Sequence, residues 1–237
     1  MDCFLSWKSD FGCVYFKMIE DTQKLQLLPG KRILVLGPSG CGKSSLLKHI
    51  AGFESGIPVK APEAGSAALL MQNPFYQIIM QDVQDELMFP QKNAAVPAQE
   101  AEENIAAVTE ILGIAQLAER EIASLSFGEV QLVMIAATFL TPADVYLLDE
   151  PSSHLDPPLI SAFHRLAQYF AEKNKCICIS SQIADEYRYC DEIWLMEQGS
   201  VREVLSREAF QHERRKRGIL SEADLIRGRL RELGRQQ

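Results

Sequence analysis

Arg32-Ile33-Leu34-Val35-Leu36-Gly37-Pro38-Ser39-Gly40-Cys41-Gly42-Lys43-Ser44 is the stretch whose reading decides the fold. Five residues of mostly aliphatic chain make a buried strand. A glycine-rich loop follows, and Leu46, Leu47 and Ile50 continue it as an apolar helix face. This strand, loop and helix order is that of a P-loop. Its glycines let successive backbone N–H groups point inward at phosphate oxygens, and the helix N-terminus adds positive potential. Lys43 is placed to reach the β- and γ-phosphates, and the Ser44 hydroxyl to ligate Mg²⁺. The spacing is G-x-x-G-x-G, not the G-x-G-x-x-G of a dinucleotide fold, so a Rossmann reading is disfavoured. Cys41 reads as a small filler inside the loop.

Outward from this stretch, Ala67–Met71, Val145–Leu148, Cys176–Ile179 and Ile193–Met196 read as further buried strands, with helical patterns between them. The expectation is an α/β fold, a P-loop NTPase with a mostly parallel central sheet. Between Glu100 and Arg120, Ile105, Val108, Ile111, Leu112 and Leu117 recur at helical spacing, behind Pro90 and Pro97. Residues 75–137 are therefore expected to form a helical subdomain inserted between two strands. Past Gly199 the chain turns charged and helical in character. The expected division is a nucleotide-binding domain over residues 1–200 and a C-terminal helical extension over 201–237.

Val145-Tyr146-Leu147-Leu148-Asp149-Glu150 ends an apolar strand in two acids, at the sheet edge that the P-loop occupies. Asp149 suits the Mg²⁺ shell and Glu150 suits a base or orienter for attacking water. Ser126 with Glu129 three residues later is a capping box opening the helix through Leu132, Ile135 and Leu140. Asp156-Pro157-Pro158 reads as an N-cap followed by helix-starting prolines.

Composition narrows the class. The 237 residues carry 24 Lys/Arg against 32 Asp/Glu, a net charge of −8, which argues against a general nucleic-acid binder. The charge is uneven: from Arg202 to the end there are 10 basic and 6 acidic residues, so residues 1–201 hold the excess acid. Six cysteines without paired spacing read as reduced cytosolic thiols, and the scattered histidines make a zinc site improbable. No apolar run approaches the ~20 residues of a membrane span, and the first twenty residues lack the pattern of an export signal. The run Arg214-Arg215-Lys216-Arg217 is a solvated helix face, a dimerisation arm or a contact for anionic lipid heads.

Taken with three further segments in the family's order, the chain resembles the ATPase domains of ATP-binding-cassette transporters over residues 4–200. Leu125-Ser126-Phe127-Gly128-Glu129 resembles the family's signature loop, Gln72 its Q-loop glutamine and Ser153-His154-Leu155-Asp156 its D-loop. Gln72-Asn73-Pro74-Phe75-Tyr76-Gln77, with Val83, Glu86 and Phe89 after it, is most similar to the energy-coupling-factor and cobalt/nickel uptake ATPases. The interval Ala51–Gln72 is short relative to the family.

The resemblance implies ATP and Mg²⁺ as cofactors. It implies nucleotide contacts from Gly37, Pro38, Ser39, Gly40, Cys41, Gly42, Lys43, Ser44 and Ser45. Metal ligands would be Ser44, Gln72 and Asp149, with Glu150 and Gln72 in the hydrolytic site. An adenine-stacking aromatic is implied near the N-terminus, Trp7 first and Phe11 second, the alternative being an aromatic packed on a sheet edge. In the family, the signature loop of one subunit, here Ser126 and Gly128, binds the γ-phosphate held by the other. Phe127 and Glu129 stand where the family has glycine and glutamine. The family's γ-phosphate histidine is also absent. Spacing back from Asp191 favours Ser181 as the equivalent position, with Gln182 the alternative, and neither supplies a cation.

The resemblance further implies a peripheral subunit at the cytoplasmic face of the cell membrane. Its partners would be a second ATPase subunit, in an asymmetric pair, and a transmembrane coupling subunit, with no nucleic acid. Together they would drive uptake of a vitamin or metal ion. The rival reading is a nucleotide-binding regulatory subunit with little hydrolysis of its own. A P-loop kinase or DNA-repair ATPase is disfavoured by the signature segment.

Overall fold

The computed structural model describes residues 6–8, 13–16, 25–52 and 66–214. A small antiparallel sheet joins β1 (Ser6–Lys8), β2 (Cys13–Phe16) and β3 (Leu25–Gln26) in that order. Trp7 sits in β1, paired with Val14, while Phe11 lies outside the described residues.

The main sheet is built on β4 (Arg32–Leu36), which leads through the glycine loop into α1 (Lys43–Ile50). Then come β5 (Ala67–Leu70), α2 (Val83–Asn93), α3 (Ala98–Leu112), α4 (Phe127–Leu140) and β6 (Val145–Asp149). The described chain closes with α5 (Pro157–Glu172), β7 (Cys176–Ser181), β8 (Glu192–Glu197), β9 (Ser200–Ser206) and α6 (Arg207–Glu213). The strand order is β5-β6-β7-β4-β8-β9, with only β9 antiparallel to its neighbour. A parallel sheet needs both faces covered, and alternate residues of β4 supply them. Leu34 and Leu36 face a core completed by α4 and α5, and Ile33 and Val35 face one completed by Leu46, Leu47 and Ile50 of α1.

Two expectations need correction. The helical pattern from Glu100 to Arg120 stops at Leu112, because Gly113 takes φ 70°, a left-handed C-terminal stop, and Leu117 is buried from a separate 3₁₀ turn at Ala115–Leu117. Residues 201–206, expected to begin a helical extension, form β9, an edge strand whose half-exposed face tolerates Arg202 and Glu203. Helix resumes at Arg207, where Ser206 Oγ accepts from Ala209 N–H at 3.2 Å. Residues 215–237, which hold most of the basic run, lie outside the described residues.

β8 and β9 bear directly on the loop after β4. Gly199, in their tight turn, donates its N–H to Cys41 O at 2.8 Å. Met196 O lies so close to Gly37 that a Cβ there would stand 2.4 Å away. No helix among the described residues is long and apolar enough to cross a membrane.

Candidate functional site

At the C-terminal ends of β4, β5 and β7 three loops converge on one carboxylate, that of Glu150 at the end of β6. In the glycine loop, Gly40 (φ 74°) and Gly42 (φ 101°) adopt left-handed backbone that other residues take only with strain. Gly42 caps α1 and its carbonyl accepts from Leu46 N–H at 2.9 Å, so the loop runs straight into a helix N-terminus. Cys41 is buried against Gly37, in agreement with its reading as a filler. Lys43 is only 4% exposed. Its ammonium donates to Gly37 O at 2.9 Å and Pro38 O at 3.1 Å, and lies 3.4 Å from Glu150 Oε1. A cation is thus held inside the curl of the loop. Ser39 and Ser45 are exposed and Ser44 is partly buried.

Glu150 has φ 48°, an unusual value for a side-chain-bearing residue, and such strain costs of the order of 1–3 kcal/mol. The surroundings hold it there. Its N–H donates to Ser180 Oγ at 3.0 Å, and its carbonyl accepts from Ser153 Oγ at 3.0 Å. The twist lifts the carboxylate off the strand end and between three donors. Gln72 Nε2 donates to Oε2 at 3.1 Å, and Gln182 Nε2 donates to Oε1 at 2.8 Å beside Lys43. Asp149, 3% exposed at the end of β6, accepts from Ser180 Oγ at 2.6 Å. Ser180 therefore links the two acids.

Gln72, Lys43, Asp149 and Glu150, all expected from the sequence, are brought together. Ser181, favoured over Gln182 from its spacing, is not. Its Oγ accepts from Ile183 N–H at 2.9 Å and the residue is 2% exposed, while Gln182 reaches Glu150. The reason is strand alternation: Ser180 and Gln182 share one face at the end of β7, and Ser181 takes the other. Ser180 was missed altogether, although a serine closing a buried strand opposite Asp149 is a pattern the sequence carries.

Ser126 and Gly128 open α4, apart from this cluster, and no hydrogen bond joins them to the glycine loop among the described residues. The predicted capping box is present. Phe127 packs its ring on His154 (centroids 4.5 Å) and Phe75 (5.6 Å), joining the 125–129 loop to those at 153–156 and 72–77. Asp156 occupies the N-cap of α5 with Pro157 and Pro158 following, but its side chain makes no cap hydrogen bond.

As a cation site, the fit rests on donor chemistry. The Ser44 hydroxyl, the Gln72 amide oxygen and the Asp149 carboxylate are all oxygen donors, which suit a hard ion such as Mg²⁺ completed by phosphate and water. Among the described residues no group of three or more His, Cys, Asp and Glu residues is placed to hold a metal unaided. The arrangement can therefore cradle polyphosphate, neutralise it with Lys43 and a metal, and present Glu150 to a water beside it.

Comparison with known proteins is consistent with this site. The family profile for ABC transporters matches residues 21–153. YkoD of Bacillus subtilis, provisionally named an HMP/thiamine import ATP-binding protein, is 33% identical over 79% of this chain and 39% of its own length. The maltose/maltodextrin import ATP-binding protein MalK of Mannheimia succiniciproducens is 30% identical over 76% of the chain and 52% of its own length. The chain thus spans well under two thirds of these relatives. Among solved structures, cbiO1 from Clostridium perfringens, part of the ABC transporter complex cbiONQ, superposes with a TM-score of 0.69 at 24% identity over 90% of each chain. An ATP-binding subunit of an ABC transporter gives 0.67 at 22% identity, covering 86% of this chain and 88% of its own. At these identities the structural likeness speaks for the fold.

Proposed function

Because this chain belongs to the ABC transporter family, we propose that it is an ATP-binding and ATP-hydrolysing subunit that energises import of a small solute through a separate membrane subunit. The observation that carries the reading is the convergence of Lys43, Gln72 and Gln182 on the strained Glu150 beside the glycine loop. Phosphates seated on the loop N–H groups meet Lys43, and Ser44, Gln72 and Asp149 would hold Mg²⁺. That ion would neutralise phosphate charge and orient the terminal phosphoryl group. Glu150 accepts a proton from, or orients, the attacking water. Gln72, bonded to the same carboxylate, ties its position to the 72–80 loop.

That loop exposes Phe75, Tyr76 and Ile79 next to α2, a surface suited to the membrane subunit. The chain would then sit at the cytoplasmic membrane face through its partner. A vitamin or a metal ion is the proposed solute class, on the sequence likeness around Gln72 and the fold likeness to cbiO1.

An asymmetric pair with a second ATPase subunit is favoured by the two departures in this chain. A neutral Gln182 stands beside Glu150, and Phe127 and Glu129 stand in the loop that faces a partner's nucleotide. In a mixed pair each composite site carries one of these faults. In a homodimer each would carry both.

The test is Glu150→Gln in the affinity-purified assembly. Mg-ATP binding should persist while phosphate release falls by ~10²–10⁴-fold, the usual contribution of a positioned base. Undiminished hydrolysis would reject Glu150 as the water-orienting group.

A further inference from the structure

The donors of Ser126 are already occupied, and by an anion. Ser126 N–H donates to Glu129 Oε2 at 2.7 Å, and Ser126 Oγ donates to the same oxygen at 2.8 Å. Glu129 N–H returns a longer bond to Ser126 Oγ at 3.4 Å. The other carboxylate oxygen, Oε1, lies 3.2 Å from Arg120 Nη1, and Arg120 Nη2 donates to Ser124 O at 2.8 Å. The guanidinium thereby bridges the loop backbone and the acid at the surface. Ser126's amide and hydroxyl, and then Arg120, hold the Glu129 carboxyl below the ordinary carboxylate range, so it is charged at neutral pH.

A serine hydroxyl has one proton and gives it to one acceptor at a time. Here that proton goes to Glu129. Any phosphate arriving at this loop must take the proton from Glu129 and settle beside a second negative charge. The Ser126 backbone is tied into the start of α4, where its carbonyl accepts from Val130 N–H at 2.9 Å. Exchange of acceptor at Ser126 is therefore a side-chain event, and Arg120 sits where it can draw Glu129 away and offset its charge.

We propose that Glu129 is an internal anion occupying the donors of Ser126, and that Arg120 sets how readily those donors pass to a phosphate held by a pairing subunit. The inference rests on the ATP-dependent pairing read above. Arg120 and Glu129 are positioning residues acting through Ser126. A capping role alone predicts something different, since glutamine completes a capping box as well as glutamate.

The experiment uses the full chain in the assembly that co-purifies with it, comparing Glu129→Gln, Arg120→Ala and Arg120→Lys with the unmodified protein. Steady-state kcat/KM for Mg-ATP is read at about 25 mM and about 500 mM KCl, the latter screening charges beyond a few ångströms. Binding of a fluorescent ATP analogue to the chain's own loop at residues 37–44 and the thermal midpoint are read in parallel. Glu129→Gln should raise kcat/KM by about 3–10-fold and Arg120→Ala should lower it by a similar factor, the scale of one partly screened charge at close range. Both effects should shrink at high salt, Arg120→Lys should restore most of the loss, and analogue affinity should stay unchanged. Shifts of the same sign, or shifts indifferent to salt, overturn the proposal, as does an Arg120→Ala assembly indistinguishable from the unmodified one. Failure of the unmodified chain to bind Mg-ATP is a separate outcome that removes the functional reading and this inference with it.

Discussion

Replacing Gln182 with histidine should make this chain a faster ATPase, and replacing Ser181 should not. Gln182 Nε2, an uncharged amide, donates to Glu150 Oε1 at 2.8 Å, from an exposed position at the mouth of the site. Toward an anionic acceptor the amide's bond is already charge-assisted, ~1.5–3 kcal/mol, so what a cationic donor adds is Coulomb attraction, ~1 kcal/mol or more at about 4 Å. An imidazolium at 182 therefore gains about 1–2 kcal/mol on the developing phosphate charge, or roughly 5–30-fold in rate at 1.36 kcal/mol per decade. Ser181 is 2% exposed with its hydroxyl turned to Ile183 N–H, so a ring there overfills a packed strand end at a cost of ~1–3 kcal/mol. Phosphate release at saturating Mg-ATP, with thermal midpoints alongside, decides the matter. Acceleration by Ser181→His with no change in Gln182→His would refute the assignment of faces at the end of β7.

Three other outcomes follow from the same geometry. Gly37→Ala places a methyl 2.4 Å from Met196 O and 2.7 Å from Cys41 Sγ, so it should lower stability by ~1–3 kcal/mol in urea unfolding and weaken ATP-analogue binding. Asp191 is partly buried, which would raise its carboxyl, but hydrogen bonds and charge from Arg32 and the charge of Arg207 outweigh this and hold it below its usual value. A depressed carboxyl stabilises the fold above its unfolded value, so the stability gap to Asp191→Asn should be full above about pH 5 and close as pH falls below about 4. Burial pushes the Cys176 thiol up to about 12 and raises Cys178 and Cys190 well above their ordinary range. These three should resist iodoacetamide in the folded chain at pH 7.5 and react only after denaturation, as read by mass spectrometry.

The residues that position phosphate were legible because two independent signals agree there. The aliphatic run 32–36 and the glycine spacing 37–42 each demand the same strand, loop and helix. Asp149 and Glu150 were legible for a similar reason, as charge ending an apolar run. The face of β7 that carries Gln182 was not, since spacing from Asp191 counts residues along the chain, whereas alternation decides which side chain looks toward Glu150. β9 was misread because an edge strand with one wet face shows the same mixed charge as a surface helix. The bonds from Arg120 and Ser126 to Glu129 depend on side-chain direction at a helix start, which sequence spacing only suggests.

The central claim is that residues 37–44 bind the phosphates of Mg-ATP with Lys43 held inside the loop. Equilibrium titration of the purified chain with a fluorescent ATP analogue, in Mg²⁺ buffer, tests it most directly. The unmodified chain should bind saturably, and Lys43→Ala should weaken binding by roughly 10–100-fold, the loss of a charge-assisted contact worth ~1.5–3 kcal/mol. Equal affinity in the two proteins, or no saturable binding by the unmodified chain, would contradict it.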